Sequence, residues 1–88
     1  MMRNSVMLIG TMSEPVISEK QADFTIIVKE TQRLKPMSVS CSIVDKSTKA
    51  RFNKVSEGDL IAIEGKLRID DGETWIEVND IFLIDKKH

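Results

Sequence analysis

A run bracketed by two glycines constrains this chain more than any other segment: Glu57-Gly58-Asp59-Leu60-Ile61-Ala62-Ile63-Glu64-Gly65-Lys66-Leu67-Arg68. The tight turn Glu57-Gly58-Asp59 launches an alternating strand, and Gly65 interrupts it with no side chain, the mark of a bulge or sharp bend in a coiled strand. A small β-barrel needs such bends to close. The run ends on Lys66 and Arg68, alternate positions that share one side of the chain wherever strand geometry continues past Gly65.

Other segments repeat the period of two. Asn4 to Gly10 reads as a first strand with Val6 and Leu8 on one face, and Ser13-Glu14-Pro15 after it reads as a turn. Asp23 to Glu30 is predicted as a second strand, with Phe24, Ile26 and Val28 inward and Thr25, Ile27 and Lys29 outward. Thr31 to Pro36 is polar, basic and ends in proline, so an exposed loop is expected. Met37, Val39, Cys41 and Ile43 then alternate with Ser38, Ser40 and Ser42, giving a core face and a small hydroxylated face. Between Asp45 and Val55 the period changes. Asp45 or Ser47 can cap a short helix whose apolar stripe is Ala50, Phe52 and Val55. After the glycine-bracketed strand, Asp70-Asp71-Gly72 is a hairpin turn into a last strand, Glu73 to Leu83.

At 88 residues, with 41% hydrophobic and 31% charged side chains, the chain is read as one soluble domain spanning residues 1–88. A core this small is only marginally stable alone, so a homodimer or homotetramer is expected. The single Cys41 cannot form an intrachain disulfide and is read as a reduced, buried thiol. The N-terminal apolar stretch lacks the length and cleavage site of a signal peptide, and nothing approaches transmembrane length, so a cytoplasmic protein without membrane contact is expected. Net charge is −1, but its distribution is uneven. Residues 28–68 carry nine Lys or Arg against five acids, or +4, whereas residues 69–88 carry two Lys against six acids, or −4. A basic middle segment fits a local phosphate-facing surface, and it equally fits solvated strands of mixed charge.

Five strands with a helix between the third and fourth is the order of an OB-fold, an all-β, five-stranded Greek-key barrel much used for oligonucleotides. Asn4-x-Val6-x-Leu8-x-Gly10, Phe24-Thr25-Ile26 and Gly58-Asp59-x-Ile61-x-Ile63-Glu64-Gly65-x-Leu67-Arg68 resemble the bacterial single-stranded DNA-binding proteins, in the same order and at similar spacing. The closing Asn79-Asp80-Ile81-Phe82-Leu83-Ile84-Asp85 resembles the end of their smaller relatives of the primosomal replication protein N type. The resemblance implies sequence-independent binding of single-stranded DNA, with RNA as an alternative strand, in replication, recombination or repair. Its stacking aromatics fall near Gln32, Ser38 and Val44, none of them aromatic here. Its long hairpin is cut to Asp70-Asp71-Gly72-Glu73, and its acidic recruitment tail has no counterpart in Lys86-Lys87-His88, so recruitment of repair and replication enzymes by that route is not expected.

Single strands are held by a basic groove plus flat side chains on which bases stack, each stack being worth roughly 1–3 kcal/mol. With Phe24, Phe52 and Phe82 committed elsewhere, Trp75 is the best stacking candidate, although packing in the barrel or a subunit interface explains a lone Trp equally well. The burden then moves to charge, on Lys29, Arg33, Lys35, Lys66 and Arg68. Ile9 and Ile27 point away from the core, which suggests a second apolar layer or an oligomer interface. The histidine is terminal His88 and the cysteine is buried, so neither a Cys-His pair nor a zinc site is expected, and no cofactor is implied. Asp70, Asp71 and Glu73 match no ion loop and read as a solvated turn. An OB module acting through protein contacts, with weak or no DNA binding, is the other class that fits; a small nuclease lacks paired-acid spacing.

Overall fold

A computed structural model describes residues 4–29 and 35–87. Five strands, β1 (Val6–Ile17), β2 (Ala22–Val28), β3 (Met37–Ile43), β4 (Leu60–Asp70) and β5 (Glu73–Asp85), close into a barrel in the order β1-β2-β3-β5-β4, with one helix, α1 (Lys46–Phe52), between β3 and β4. All neighbouring strands are antiparallel except β3 and β5, which run parallel. This is the OB-fold expected from the element order.

The alternation predicted for β2 holds without a break: Phe24, Ile26 and Val28 are buried and Thr25 and Ile27 are not. In β1, Val6 and Leu8 pack against the core while Met7 and Ile9 face out. Ser13-Glu14-Pro15 is not a turn between strands. It lies within β1, where the pairing with β2 slips between Ser13 and Val16 and Glu14 takes a φ of 51°. A bulge bends the strand there without ending it: the ladder continues with Val16 opposite Asp23 and Ile17 opposite Ala22, and the reversal comes later, at Ser18–Gln21. In β3 the alternation holds from Val39 onward, but Met37 is 49% exposed. The ladder from β3 to β5 consists of Cys41 opposite Ile76 and Ser42 opposite Glu77, so the first half of β3 runs out beyond the closed wall.

Gly65 marks a bend, as its missing side chain suggests. Pairing with β5 slips at Glu64/Gly65, where Glu64 faces Asp80 and Gly65 faces Val78, leaving Asn79 as the extra residue on the opposite strand. A Cβ on Gly65 would lie 2.1 Å from the Glu77 carbonyl oxygen, closer than any side chain allows. The slip also flips the phase of β5, so that Ile76 and Val78 are buried on one side of it and Ile81 on the other. The freed Asn79 carbonyl accepts a bond from the Thr48 hydroxyl at 2.9 Å, which docks α1 on the bulge.

Asp45 caps α1 by accepting from the Thr48 N–H at 2.9 Å, and bonds from the Ser47 hydroxyl and the Thr48 backbone and side chain hold its carboxyl down at about 2. The buried face is Thr48 and Phe52, one turn apart, with Val55 partly buried after the helix end; Ala50, expected in that stripe, is exposed. Thr48 substitutes for it because its polar groups find partners inside the fold, the backbone N–H on the Asp45 carboxylate and the hydroxyl on the Asn79 carbonyl. Phe52 closes the barrel by stacking on Phe24, ring centroids 4.9 Å apart. Cys41 is buried in the same core, and desolvation pushes its thiol up to about 12.

Candidate nucleic-acid interface

The β4–β5 hairpin carries the predicted site furthest. Its turn is Asp71-Gly72, with φ of 48° and 81°, the left-handed pair that a two-residue hairpin needs. That turn sets the register: Asp70 opposite Glu73, Arg68 opposite Trp75, Lys66 opposite Glu77. Because side chains alternate, these six share the outward face, while Leu67 and Ile69 lie on the reverse. Ile69 is 72% exposed, since the hairpin extends past the barrel as an arm. Lys66 and Arg68 share one side, as strand period implied, and the hairpin register sets Trp75 beside them.

The same register brings acids that single-strand reading did not weigh. Glu77 faces Lys66 directly and also takes a charged hydrogen bond from Arg68, Nη2 to Oε2 at 3.3 Å. Both side chains are partly solvated, so the pair contributes little to stability, but it occupies the guanidinium that a phosphate would need. The signal was present in the sequence: a two-residue turn after Asp70 counts Glu77 to the position opposite Lys66.

Lys29 and Lys35 occupy a different place. They are exposed and flank the Val28–Met37 pair that ends the β2–β3 ladder. Arg33 lies outside the described residues, as does Gln32. Ser38 and Val44, the other positions near the resemblance's stacking sites, are exposed and offer no ring. The helix cations are tied into the fold: Lys49 donates to the Ser18 and Glu19 carbonyls, and Arg51 pairs with Asp80. Among the described residues no group of three or more His, Cys, Asp or Glu is placed to hold a metal ion.

Trp75 is half-buried and forms part of the wall of an open groove of about 790 Å³. The floor is the outer face of β2 and β3, where Thr25, Ser40 and Ser42 present hydroxyls, and the charged residues lining it are Glu14, Asp23, Asp70 and Glu73. Outward β2–β3 positions between two hairpin loops are where OB-folds commonly take oligonucleotides. Here that surface is small, polar and negative, and the cations Lys66 and Arg68 stand beyond it on the arm.

No family model matches the chain, and no curated protein matches it. Solved structures match in fold. The mitochondrial single-stranded DNA-binding protein Rim1 from S. cerevisiae superposes with a TM-score of 0.84 at 12% identity, covering 98% of this chain and 100% of that one. A small single-stranded DNA-binding protein from Streptomyces coelicolor gives 0.79 at 13% identity, over 96% and 95% of the two chains. The S. pombe Stn1–Ten1 complex gives 0.75 at 16% identity, over 93% of this chain and 59% of that one. At such identities the likeness establishes the OB-fold architecture.

Proposed function

We propose that this protein binds single-stranded DNA without sequence preference and without catalysis, in the service of replication, recombination or repair. The observation that carries the reading is the outward face of the arm, where Trp75 stands opposite Arg68 and next to Lys66. A base stacked on Trp75 has its phosphates beside two cations, with Lys29, Lys35 and Arg33 available to track the strand further. The shared fold with proteins named for single-stranded DNA binding supports it. Self-association belongs to the same reading. Ile9, Ala62 and Phe82 are in register across β1, β4 and β5 and form an outward apolar row, with Ile9 54% and Phe82 47% exposed, that a second copy of the chain can cover.

Titration of fluorescently labelled oligo-dT at low salt tests the function. Binding is expected to quench Trp75 and to weaken as salt rises, with a log–log slope of about −1 to −3 for two to four phosphate contacts. No binding at low salt overturns the proposal. Glu77 on Arg68 and the acidic groove favour a second reading, an OB module that works through protein contacts; substituting Lys66 and Arg68 by Glu leaves such a module's assembly intact and abolishes DNA binding only if the first reading is right.

A further inference from the structure

We infer that the groove between the β2–β3 face and the arm is a docking site for an extended peptide segment bearing Arg or Lys, supplied by a partner protein. Three features converge on it. The first is shape. β3 and β5 stop pairing above Cys41–Ile76; continuing their register would set Ser40 beside Trp75 and Val39 beside Thr74, but the wall is splayed there and the groove fills the gap. On its β5 side, β3 has no ladder partner before Cys41, an edge to which an extended chain adds main-chain hydrogen bonds.

The second feature is charge. Glu14 at the β1 bulge, Asp23 on β2, and Asp70 and Glu73 beside the arm's turn surround the groove, and among the described residues that line it there is no cation. A phosphodiester entering it meets repulsion, whereas a guanidinium or ammonium group is drawn in. The third is Trp75. An indole on the wall of an acidic groove offers its face to a cation, a contact that desolvation by the surrounding walls strengthens. Thr25, Ser40 and Ser42 on the floor add donors and acceptors without bulk. The occupant that satisfies edge, charge and ring together is an extended cationic peptide, and the site stands whether or not the arm binds DNA.

The test uses a capped synthetic peptide alternating Arg and Ser, with its Glu-for-Arg counterpart as control, titrated into the isotope-labelled full chain. The Arg peptide is expected to shift the amides of Thr25, Ser40 and Ser42 and the Trp75 indole, and the Glu peptide to leave them in place. Combining Asp23→Asn with Glu73→Gln should weaken binding about tenfold through loss of two charge contacts, while Glu57→Gln with Glu64→Gln, outside the groove, should leave it unchanged. Ser40→Arg, an exposed position, provides a second variant that fills the groove with a cation and blocks the peptide. Shifts confined to another surface, equal weakening by the outside pair, or unimpaired binding by Ser40→Arg overturn the proposal. So does oligo-dT shifting the floor amides in the Arg peptide's place, which would make the groove a nucleic-acid site.

Discussion

The side chain of Asn4 binds both backbone groups of Leu67: its Nδ2 donates to the Leu67 carbonyl at 2.8 Å and its Oδ1 accepts from the Leu67 N–H at 2.9 Å. A primary amide presents the same donor and acceptor pair as a peptide unit, so Asn4 extends the β1–β4 ladder by one rung past Val6–Gly65. That rung sits just where β4 leaves the barrel to become the arm.

Replacing Asn4 by Ala removes two hydrogen bonds at an exposed site and should cost about 1–2 kcal/mol of stability. Asn4→Asp keeps the acceptor and loses the donor, so it should fall between. Urea denaturation monitored by Trp75 fluorescence measures both. A wild-type midpoint for Asn4→Ala would show that the rung contributes nothing.

Gly65→Ala should be far worse than Gly72→Ala. The added Cβ at 65 meets the Glu77 backbone at 2.1 Å, which no rotamer change relieves, and a cost of about 3 kcal/mol is expected. At Gly72 nothing lies within 4 Å, and only its φ of 81° opposes a side chain, at about 1 kcal/mol. Thermal melts of the two variants give the ordering directly.

Asp59, 2% exposed, ties the C-terminal end of the chain to the start of β4. Its carboxylate accepts from the Lys87 N–H at 2.9 Å and the Ser56 N–H at 2.8 Å, and Lys86 lies 3.5 Å away. These bonds, that from Lys87 foremost, hold its pKa below the ordinary 3.8. A depressed folded-state value means the stabilisation is present above the unfolded value of 3.8 and is lost as pH falls through the lower folded one. Asp59→Asn should therefore be less stable than wild type at neutral pH and show a shallower acid slope below about pH 4, where Asp45 continues to titrate. Stability profiles of the two proteins between neutral and acid pH check this; parallel acid limbs would refute it.

Glu77→Gln releases Arg68 and removes a carboxylate from the arm. Oligo-dT affinity at low salt should rise about threefold, with stability changed by less than about 1 kcal/mol, because the pair is partly solvated. Arg68→Ala should lower affinity and reduce the magnitude of the salt slope by about 0.7, the share of one phosphate contact on a single strand. Unchanged affinity in both variants would remove Arg68 from the interface.

Much of the fold was legible because it is written in local chemistry. Phe24, Ile26 and Val28 alternate with polar or outward residues, Asp71-Gly72 can take the left-handed pair, and Asp45 caps a helix whose Phe52 must be buried. What misled was where local signals conflict with tertiary demand. Glu14-Pro15 has turn chemistry, yet β1 continues through it because β2 remains to be paired. Ala50 has the better helix character, yet Thr48 is the buried residue because the Asn79 carbonyl needs a donor. For the candidate site, Lys66 and Arg68 were placed on one face by strand period alone, whereas Trp75 and the acidic neighbours reached that face only through the hairpin register.

By itself the sequence determined the strand period of β2 and β4, the buried Phe52 of the helix, and that Gly65 marks a bend. These follow from side-chain periodicity and backbone sterics, which act over a few residues. Tertiary structure alone decided that Asn79, on the far strand, is the residue extruded at that bend, and that Glu14, Asp23, Asp70 and Glu73 converge on one groove beside Trp75. Those residues are brought together by barrel closure, and the electrostatic field they make depends on distances between chain segments that no local pattern encodes.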